Sequence, residues 1–575
     1  MEEISFTSKG KITKLQQLIK EQNLNGYLIP CWDEYMSEYT PRHAKRLEFA
    51  TNFSGSNGIA VILPNESLFF TDGRYLEQAK KELDLSLFKV VDQKDFQAID
   101  WASYGDIGYD PKLFTKAFLK SFPLASLKSI TKNLVDEVWE DRHKKPESPI
   151  YAYDEAMAGR SYSDKLSSLR NFLKENSAAG IITSAPDSVC WLLNLRSNDV
   201  EFTPMLLAMA IVTEKEVYLF TDEKRFKDHS SLRPEIKICP ENALEKVITQ
   251  IEGKILFDEL TTSVAVIELL TGKNSVAIKD PCRLWKAIKN NTEINYAIEG
   301  HIKDATALCE FLAYIDRSEN LDQKSEYDLG LILSKMRAEH SGYVMDSFPA
   351  ICGFKGNGAI IHYRATEESA QKITGQGLLL IDSGGQYMGA TTDVTRTVAI
   401  GTPTVEQKKR YTEVLKGHIA LANARFPKGT SGSNLDVLAR QYLWQNGEDY
   451  AHGTGHGVGS FLSVHEGPHG ITLKNTTPLE AGMIVSNEPG YYKAGEYGIR
   501  IENLIYVKES ETPGFLEFEN LTLVPYDKNL IDLTLITKVE LEYLKSYYEK
   551  IVKLIGPNLS PKAQEWLDNM YTPLA

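Results

Sequence analysis

No stretch of the sequence approaches the ~20 consecutive apolar residues that a membrane-crossing helix needs, which excludes a transmembrane chain. The N-terminus, MEEISFTSKGKITKLQQLIK, opens acidic and runs into an amphipathic helical pattern. It lacks the apolar core and small-residue cleavage site of a secretory signal, so a cytoplasmic protein is expected. Cysteine is scarce. The six residues, Cys31, Cys190, Cys239, Cys282, Cys309 and Cys352, form no CxxC pair and no short-range framework. That excludes a small stapled module, suits a reducing compartment and leaves cysteine a structural role. Positive charge is not in excess either: a formal net charge of −14 argues against non-specific attraction to nucleic acid or to an anionic membrane. What remains is ordinary globular composition, 42% apolar and 25% charged over 575 residues, enough chain for two to four domains with buried cores.

The first positive signal is internal repetition. One constant offset aligns Ile12, Leu15, Leu18 and Ile19 with Leu166, Leu169, Phe172 and Leu173, then Glu21 with Glu175, Gly26 with Gly180 and Asp33 with Asp187. A slightly shorter offset pairs Ala60-Val61-Ile62 with Ala210-Ile211-Val212 and Phe70-Thr71-Asp72 with Phe220-Thr221-Asp222. An amphipathic helix, a turn, a short apolar strand and a loop aspartate therefore recur in order, and a duplicated pair of α/β domains follows. The stretch RHKKPESPIYAYDEAMAGRSYSD, rich in charge, proline and serine, reads as the linker between the copies. After Pro281 a long helical periodicity begins, followed by short β runs (LLLIDS, TRTVAI, MIVSNEP, RIENLIYV), which implies an α+β domain closing in helices from about Leu530. The expected division is 1–148, 149–285 and 286–575.

The last domain carries the chemistry. IDSGGQYMGATTDVTR places Asp382 and Asp393 in a segment that reads as strand, turn, strand, with Gly384, Gly385 and Gly389 permitting the turn. Asp is a poor strand former, and two carboxylates on facing strands repel unless a cation sits between them. An ordinary turn aspartate and strand-end aspartate would explain the pair if it stood alone. Downstream, however, come HGTGHGVGSFLSVHEGPHG, SNEPGYY and GIRIEN, each with acid or imidazole groups in β-like or glycine-rich context. Glu488 precedes Pro489-Gly490, which ends its strand, and Glu502 alternates with Ile499 and Ile501, so it faces away from them. Four carboxylates with one imidazole suit hard or borderline divalent cations and balance two of them. Two such ions ~3.5–4 Å apart can lower the pKa of a shared water and stabilise charge on an attacked carbonyl oxygen, which is amide hydrolysis.

In order and local context, Asp382, Asp393, His456, Glu488 and Glu502 resemble the five metal ligands of the pita-bread metallopeptidases, the group that includes methionine aminopeptidase, prolidase and aminopeptidase P. FTDGRY, WLLNLRSND, NGAIIHYRA, TTDVTRT, HGTGHGVGSFLSVHEGP, EPGYY and GIRIEN extend the resemblance to three-domain aminopeptidase P, or Xaa-Pro aminopeptidase, over essentially the whole chain. That family has two creatinase-like N-terminal domains before the pita-bread domain, in agreement with the duplication. The sequence departs from it in SNEPG, where an acidic or Thr-Asp lead-in is common, and in the Asn-Asp of the second domain's loop; neither touches a ligand.

The resemblance implies removal of the N-terminal residue from peptides with proline in second position, by a hydroxide bridging two divalent ions. Manganese is the family's usual metal, with cobalt, zinc and iron open. It implies that Asp382 chelates one metal, that Asp393 and Glu502 bridge both, and that His456 and Glu488 complete the second, with Glu488 also taking up the proton. It assigns His362 to the tetrahedral intermediate or to a proton shuttle toward the proline nitrogen, His465 to a hydrogen bond with the scissile carbonyl, His452 to the proline pocket and Arg500 to support of a carboxylate. Arg74 matches an arginine that contacts peptide, and Glu38 a group supplied by a partner subunit, which implies a homodimer. The competing readings are a prolidase restricted to Xaa-Pro dipeptides, a non-catalytic pita-bread binding protein, and metal-free creatinase-type chemistry. Intact ligand positions speak against the last two.

Overall fold

A computed structural model describes residues 7–122, 126–227 and 233–571; the first six residues of the acidic N-terminal stretch lie outside these. The chain forms two compact units, residues 1–155 with 160–282 and residues 156–159 with 283–575. Among the described residues no helix is long and apolar enough to cross a membrane.

The first unit contains the two copies. Strands Gly26–Pro30, Ile59–Ile62, Ser67–Thr71, Phe88–Asp92, Asp106–Tyr109 and Ser126–Ser129 (β1 to β6) form a sheet in the order β4-β3-β2-β1-β5-β6. Gly180–Thr183, Met209–Thr213, Val217–Phe220, Ile236–Cys239, Ile255–Phe257 and Ser275–Ala277 (β7 to β12) form a second, in the corresponding order β10-β9-β8-β7-β11-β12. Strand directions correspond as well: the first three strands of each copy pair antiparallel in sequence, and the remaining neighbours pair parallel. The aligned helices are α1 (Ser8–Glu21) and α2 (Tyr162–Glu175), capped by Thr7 and Ser161, whose hydroxyls accept from Gly10 N and Asp164 N. Ile12, Leu15 and Ile19 on one, and Leu166, Leu169 and Leu173 on the other, are the buried positions that the offset matched. Asp72 and Asp222, the aspartates of the two FTD motifs, each accept the backbone N–H two residues on at 2.9 Å. Repeated sequence here corresponds to repeated topology.

The second unit begins with the long helix α3 (Asn291–Arg317), opened by an Asn290/Glu293 capping box, and α4 (Glu326–Ala338). Ile351–Phe354, Gly377–Ser383 and Val394–Ile400 (β13, β14, β15) form a three-stranded sheet with β14 central. Helices α5 (Val405–Ala422) and α6 (Gly432–Trp444) pack so closely that a Cβ on Gly417 would lie 2.1 Å from the Ala439 carbonyl oxygen. Arg425–Pro427, Gly455–Gly457, Glu466–Ile471, Ile484–Asn487, Asn503–Glu509 and Phe515–Asn520 form a six-stranded sheet, in which Ile484–Asn487 lies between Gly455–Gly457 and Asn503–Glu509. Gly490–Lys493 and Tyr497–Arg500 make a separate hairpin. Helices α7 (Lys538–Leu554) and α8 (Pro561–Tyr571) close the unit, with Tyr547, Tyr548, Ile551 and Trp566 packed into one core with Phe311 of α3, Leu379 of β14 and Val414 of α5. Two sheets thus meet with helices behind them, and the acidic motifs lie at the ends of their strands.

Candidate metal centre

The first two ligand candidates come from β14 and β15. In that ladder Asp382 is opposite Thr395, so Asp393, two residues before Thr395, is its diagonal neighbour on the same face. The expected simple hairpin is divided, because Gly385–Tyr387 leaves to pair with Ala390–Thr391 on one side and with Tyr343–Asp346 on the other. Of the three glycines, only Gly389 has a left-handed backbone, with φ of 94°. Gly384 serves instead to admit the chain, since a Cβ there would lie 2.0 Å from the Thr392 carbonyl oxygen.

The other three arrive from strand ends. His456 is central in Gly455–Gly457, Glu488 follows the last residue of Ile484–Asn487, and Glu502 sits at the break between Tyr497–Arg500 and Asn503–Glu509. Long-range register then brings them together. His456 Nε2 lies 3.4 Å from Asp393 Oδ2 and 3.6 Å from Glu488 Oε1. One ligand atom each from Asp393, His456 and Glu502 falls within 4.8 Å of the others.

The imidazole can be oriented from its hydrogen bonds. His456 Nδ1 lies 2.9 Å from the Gly457 carbonyl oxygen, which can only accept, so Nδ1 carries hydrogen and Nε2 faces the carboxylates. In the neutral ring that directs a lone pair at two acids. Either a proton or a cation must intervene. In the protein alone it is the proton: burial pulls His456 down, but the hydrogen bond to Asp393 and the charges of Glu488 and Asp393 outweigh it and raise its pKa to about 9. The carboxylates respond to the same crowding. Burial raises Asp382, against the opposing charge of Arg500 and reinforced by Asp393. Burial raises Glu488 too, opposed by His456 and Arg500, and lifts Glu502 well above the carboxylate range, with Asp393, Glu488 and Asp382 adding to it. Among the described residues Asp382 Oδ1 is buried without a hydrogen-bond partner. A carboxylate oxygen left bare, an imidazole nitrogen aimed at acids and carboxylates raised by burial and by one another are what a divalent-cation site looks like without its charge, so these residues fit the group.

A relay of hydrogen bonds holds the set. Arg500, 1% exposed, donates from Nη2 to Asp382 Oδ2 at 2.6 Å, from Nη1 to the Tyr492 hydroxyl at 2.9 Å and from Nε to Thr395 Oγ1 at 3.2 Å. Thr395 in turn donates to Glu502 Oε2 at 2.7 Å. His452 Nδ1 donates to the Gly453 carbonyl at 2.7 Å, which leaves Nε2 to accept from Tyr492 at 2.8 Å. Contrary to the expectation that the SNEPG departure touches no ligand, its Ser486 Oγ accepts from His456 N at 2.9 Å and donates to Glu488 Oε1 at 3.1 Å. Arg396, 1% exposed, donates to the carbonyls of Thr395, Glu502, Val524 and Pro525, pinning the irregular backbone at Glu502.

Of the remaining residues named from sequence, His465 stacks edge-on against His456, with ring centroids 4.3 Å apart. His362 is half-buried between buried Ile361 and Tyr363, just after the turn Lys355–Ala359. That turn lies tight on Tyr497–Arg500, where a Cβ on Gly498 would fall 1.8 Å from the Gly358 carbonyl oxygen. Arg74 and Glu38 belong to the first unit: Arg74 donates from Nε and Nη2 to its own turn's Asp72, at 3.0 and 2.7 Å, and the charge of Glu38 acts on it. Sequence reasoning missed Thr395, Tyr492, Ser486 and Arg396 as parts of the site, although all four stand in motifs already singled out.

Comparison with known proteins agrees with this arrangement. Residues 298–509 match the model of metallopeptidase family M24 and residues 514–574 its C-terminal region, while residues 11–137 and 141–293 each match a creatinase/prolidase N-terminal domain. The chain is 38% identical to the probable Xaa-Pro aminopeptidase P of Laccaria bicolor, covering 98% of this chain and 93% of that protein. It is 39% identical to Xaa-Pro aminopeptidase 1 of Dictyostelium discoideum, covering 98% and 96%. A solved X-prolyl aminopeptidase from Caenorhabditis elegans, described as a cytosolic enzyme with a di-nuclear active site, superimposes with a TM-score of 0.92 at 32% identity, over 98% of this chain and 99% of that one. With both N-terminal copies, the M24 domain and full-length relatives accounted for, the chain belongs to the aminopeptidase P family of M24 metallopeptidases.

Proposed function

We propose that the protein removes the first residue from peptides whose second residue is proline. The observation that carries this is the meeting of His456 Nε2 with Asp393 and Glu488 at 3.4 and 3.6 Å, beside Glu502, in a member of a family whose relatives bear that activity in their names. Asp382, Asp393, His456, Glu488 and Glu502 would hold two divalent cations, Asp382 on one, His456 and Glu488 on the other, Asp393 and Glu502 on both. Manganese is the preferred metal in this reading. When bound, such a pair supplies a water of lowered pKa and a Lewis acid for the scissile carbonyl oxygen.

The chain's own side chains do the rest. Glu488, already raised by burial, is suited to accept a proton at its carboxylate and release it again. His465, packed on His456, donates to the scissile carbonyl oxygen. His362 delivers a proton to the proline nitrogen, which must gain one because an amide nitrogen is otherwise expelled as an anion. His452 and Tyr492 line the proline side, and Arg500 orients Asp382 and opposes the rise that burial imposes on it. Arg74 contacts the peptide, and Glu38 reaches a neighbouring subunit's site, so the working form is a homodimer in the cytoplasm. The cytosolic description of the C. elegans relative supports the compartment. Separate cores under the first unit's two sheets support the three-domain division 1–148, 149–285 and 286–575.

Incubating the manganese-loaded protein with Xaa-Pro and with Xaa-Pro-Yaa-Zaa tests the reading. Cleavage of the longer peptide after its first residue is expected; cleavage of the dipeptide alone would make the enzyme a prolidase.

A further inference from the structure

Beside the metal centre is a charged cluster that the chemistry above does not use. Glu466, directly after His465, is 6% exposed, and its carboxylate is gripped by two buried lysines. Lys286 Nζ lies 2.9 Å from Glu466 Oε2, and Lys289 Nζ pairs with Oε1. The lysine side chains are 1% and 0% exposed. Three buried charges are an expensive way to fill a core, because an apolar trio of similar volume packs without the desolvation cost. Their position shows what they could secure. Glu466 is the ladder partner of Gly457, the residue after His456, and the register slips at this step: His456 pairs with Gly470, Gly457 with Glu466, and Gly467, Pro468 and His469 are accommodated between. On the other side, the Lys289 amide donates to the Gly482 carbonyl, and Ile288 bridges Met483, just before the strand Ile484–Asn487 that Glu488 follows.

We propose that Glu466 is a positioning residue for His465, with Lys286 and Lys289 as its clamp. Consecutive residues in extended chain face opposite ways, so a slip of one position would put His465 between the lysines and Glu466 against His456. Two buried ammonium groups accept a carboxylate and reject an imidazole, which makes the wrong register costly in a segment whose ladder is already irregular. An apolar plug could not discriminate in this way. The inference rests on the reading that His465 serves hydrolysis of Xaa-Pro peptides at this centre.

The test compares wild type, Glu466→Gln, His465→Ala, the double variant, and an uncharged clamp carrying Lys286→Met, Lys289→Met and Glu466→Met together. Metal content, kcat and KM on one Xaa-Pro-Yaa tripeptide, and Tm are measured for each. Glu466→Gln should keep two metals per chain and a KM within about twofold of wild type while kcat falls at least tenfold. Added to His465→Ala it should cost less than a further twofold, because a residue acting through His465 has nothing left to position. The uncharged clamp, which avoids leaving two buried lysines without their carboxylate, should fold and lose kcat in the same way. Wild-type kcat in both clamp variants, losses that multiply with His465→Ala, or loss of metal in Glu466→Gln would each overturn the proposal. A metal-loaded wild type that cleaves no tripeptide would instead overturn the functional reading on which it rests.

Discussion

If His456 holds a proton in the metal-free protein, metal binding must expel it, and the affinity becomes a function of pH. Its folded pKa is raised to about 9, so at pH 7 the ring is charged and a cation competes with the proton for Nε2. Two pH units below that pKa, deprotonation costs about 2.7 kcal/mol, or about 100-fold in affinity. Raised pKa values of Asp382, Glu488 and Glu502 act with the same sign, since a cation binds their ionised forms. Manganese affinity should therefore climb about tenfold per unit between pH 7 and 8.5 and level off above about 9. Calorimetric titration of metal-free protein in two buffers of different ionisation enthalpy gives both the affinity and the protons released. About one proton per chain is expected at pH 7, and fewer in His456→Ala, which lacks the raised imidazole. A flat affinity with no proton release would refute the description of the centre as a crowded acid cluster whose imidazole holds a proton. Stability follows the same linkage. Carboxylates raised in the fold favour it below their unfolded pKa near 4 and withdraw that support as pH rises through their folded values, so the Tm gap between metal-loaded and metal-free protein should widen as pH increases.

Three further outcomes follow from the geometry. Tyr492→Phe removes the hydroxyl joining Arg500 to His452 and should lower metal affinity or kcat by about 10–100-fold with little change in Tm, as equilibrium dialysis and steady-state kinetics would read. Gly498→Ala forces a Cβ against the Gly358 carbonyl, which should cost about 1–3 kcal/mol and displace the turn leading to His362; an unchanged Tm and kcat would count against that close approach. Arg396→Met strips donors from four buried carbonyls, and roughly 3 kcal/mol or more should be lost in chemical denaturation, with Glu502 loosened and metal bound more weakly.

Much of the site is legible in the sequence because its residues are chemically implausible otherwise. Acids in strand patterns, beside Gly and Pro that end those strands, have few uses, and that implausibility together with the family resemblance singles out Asp382, Asp393, His456, Glu488 and Glu502. The duplication is legible because apolar spacing and the FTD turns survive in both copies. The supporting residues are harder to see. Thr395 reaches Glu502 across 107 residues, and Arg396 reaches the carbonyls of residues 524 and 525; neither has a local pattern that tells it from an ordinary strand residue. Lys286 and Lys289 carry no sequence pattern that announces their burial against Glu466. The expected hairpin from Asp382 to Asp393 captures their shared face but not the second sheet between them, since short strands such as Ala390–Thr391 are defined by their partners and not by their own periodicity.

The most direct test of a two-metal Xaa-Pro aminopeptidase is to titrate manganese into metal-free protein while identifying, by mass spectrometry, the products formed from an Xaa-Pro-Yaa peptide. Activity should rise to a plateau at two ions per chain, with the free first residue and intact Pro-Yaa as the products, and Asp393→Asn should lower it by at least about 100-fold, more than loss of a supporting residue costs. Full activity without added or retained metal, an undiminished rate in Asp393→Asn, or no hydrolysis with any divalent ion would contradict it.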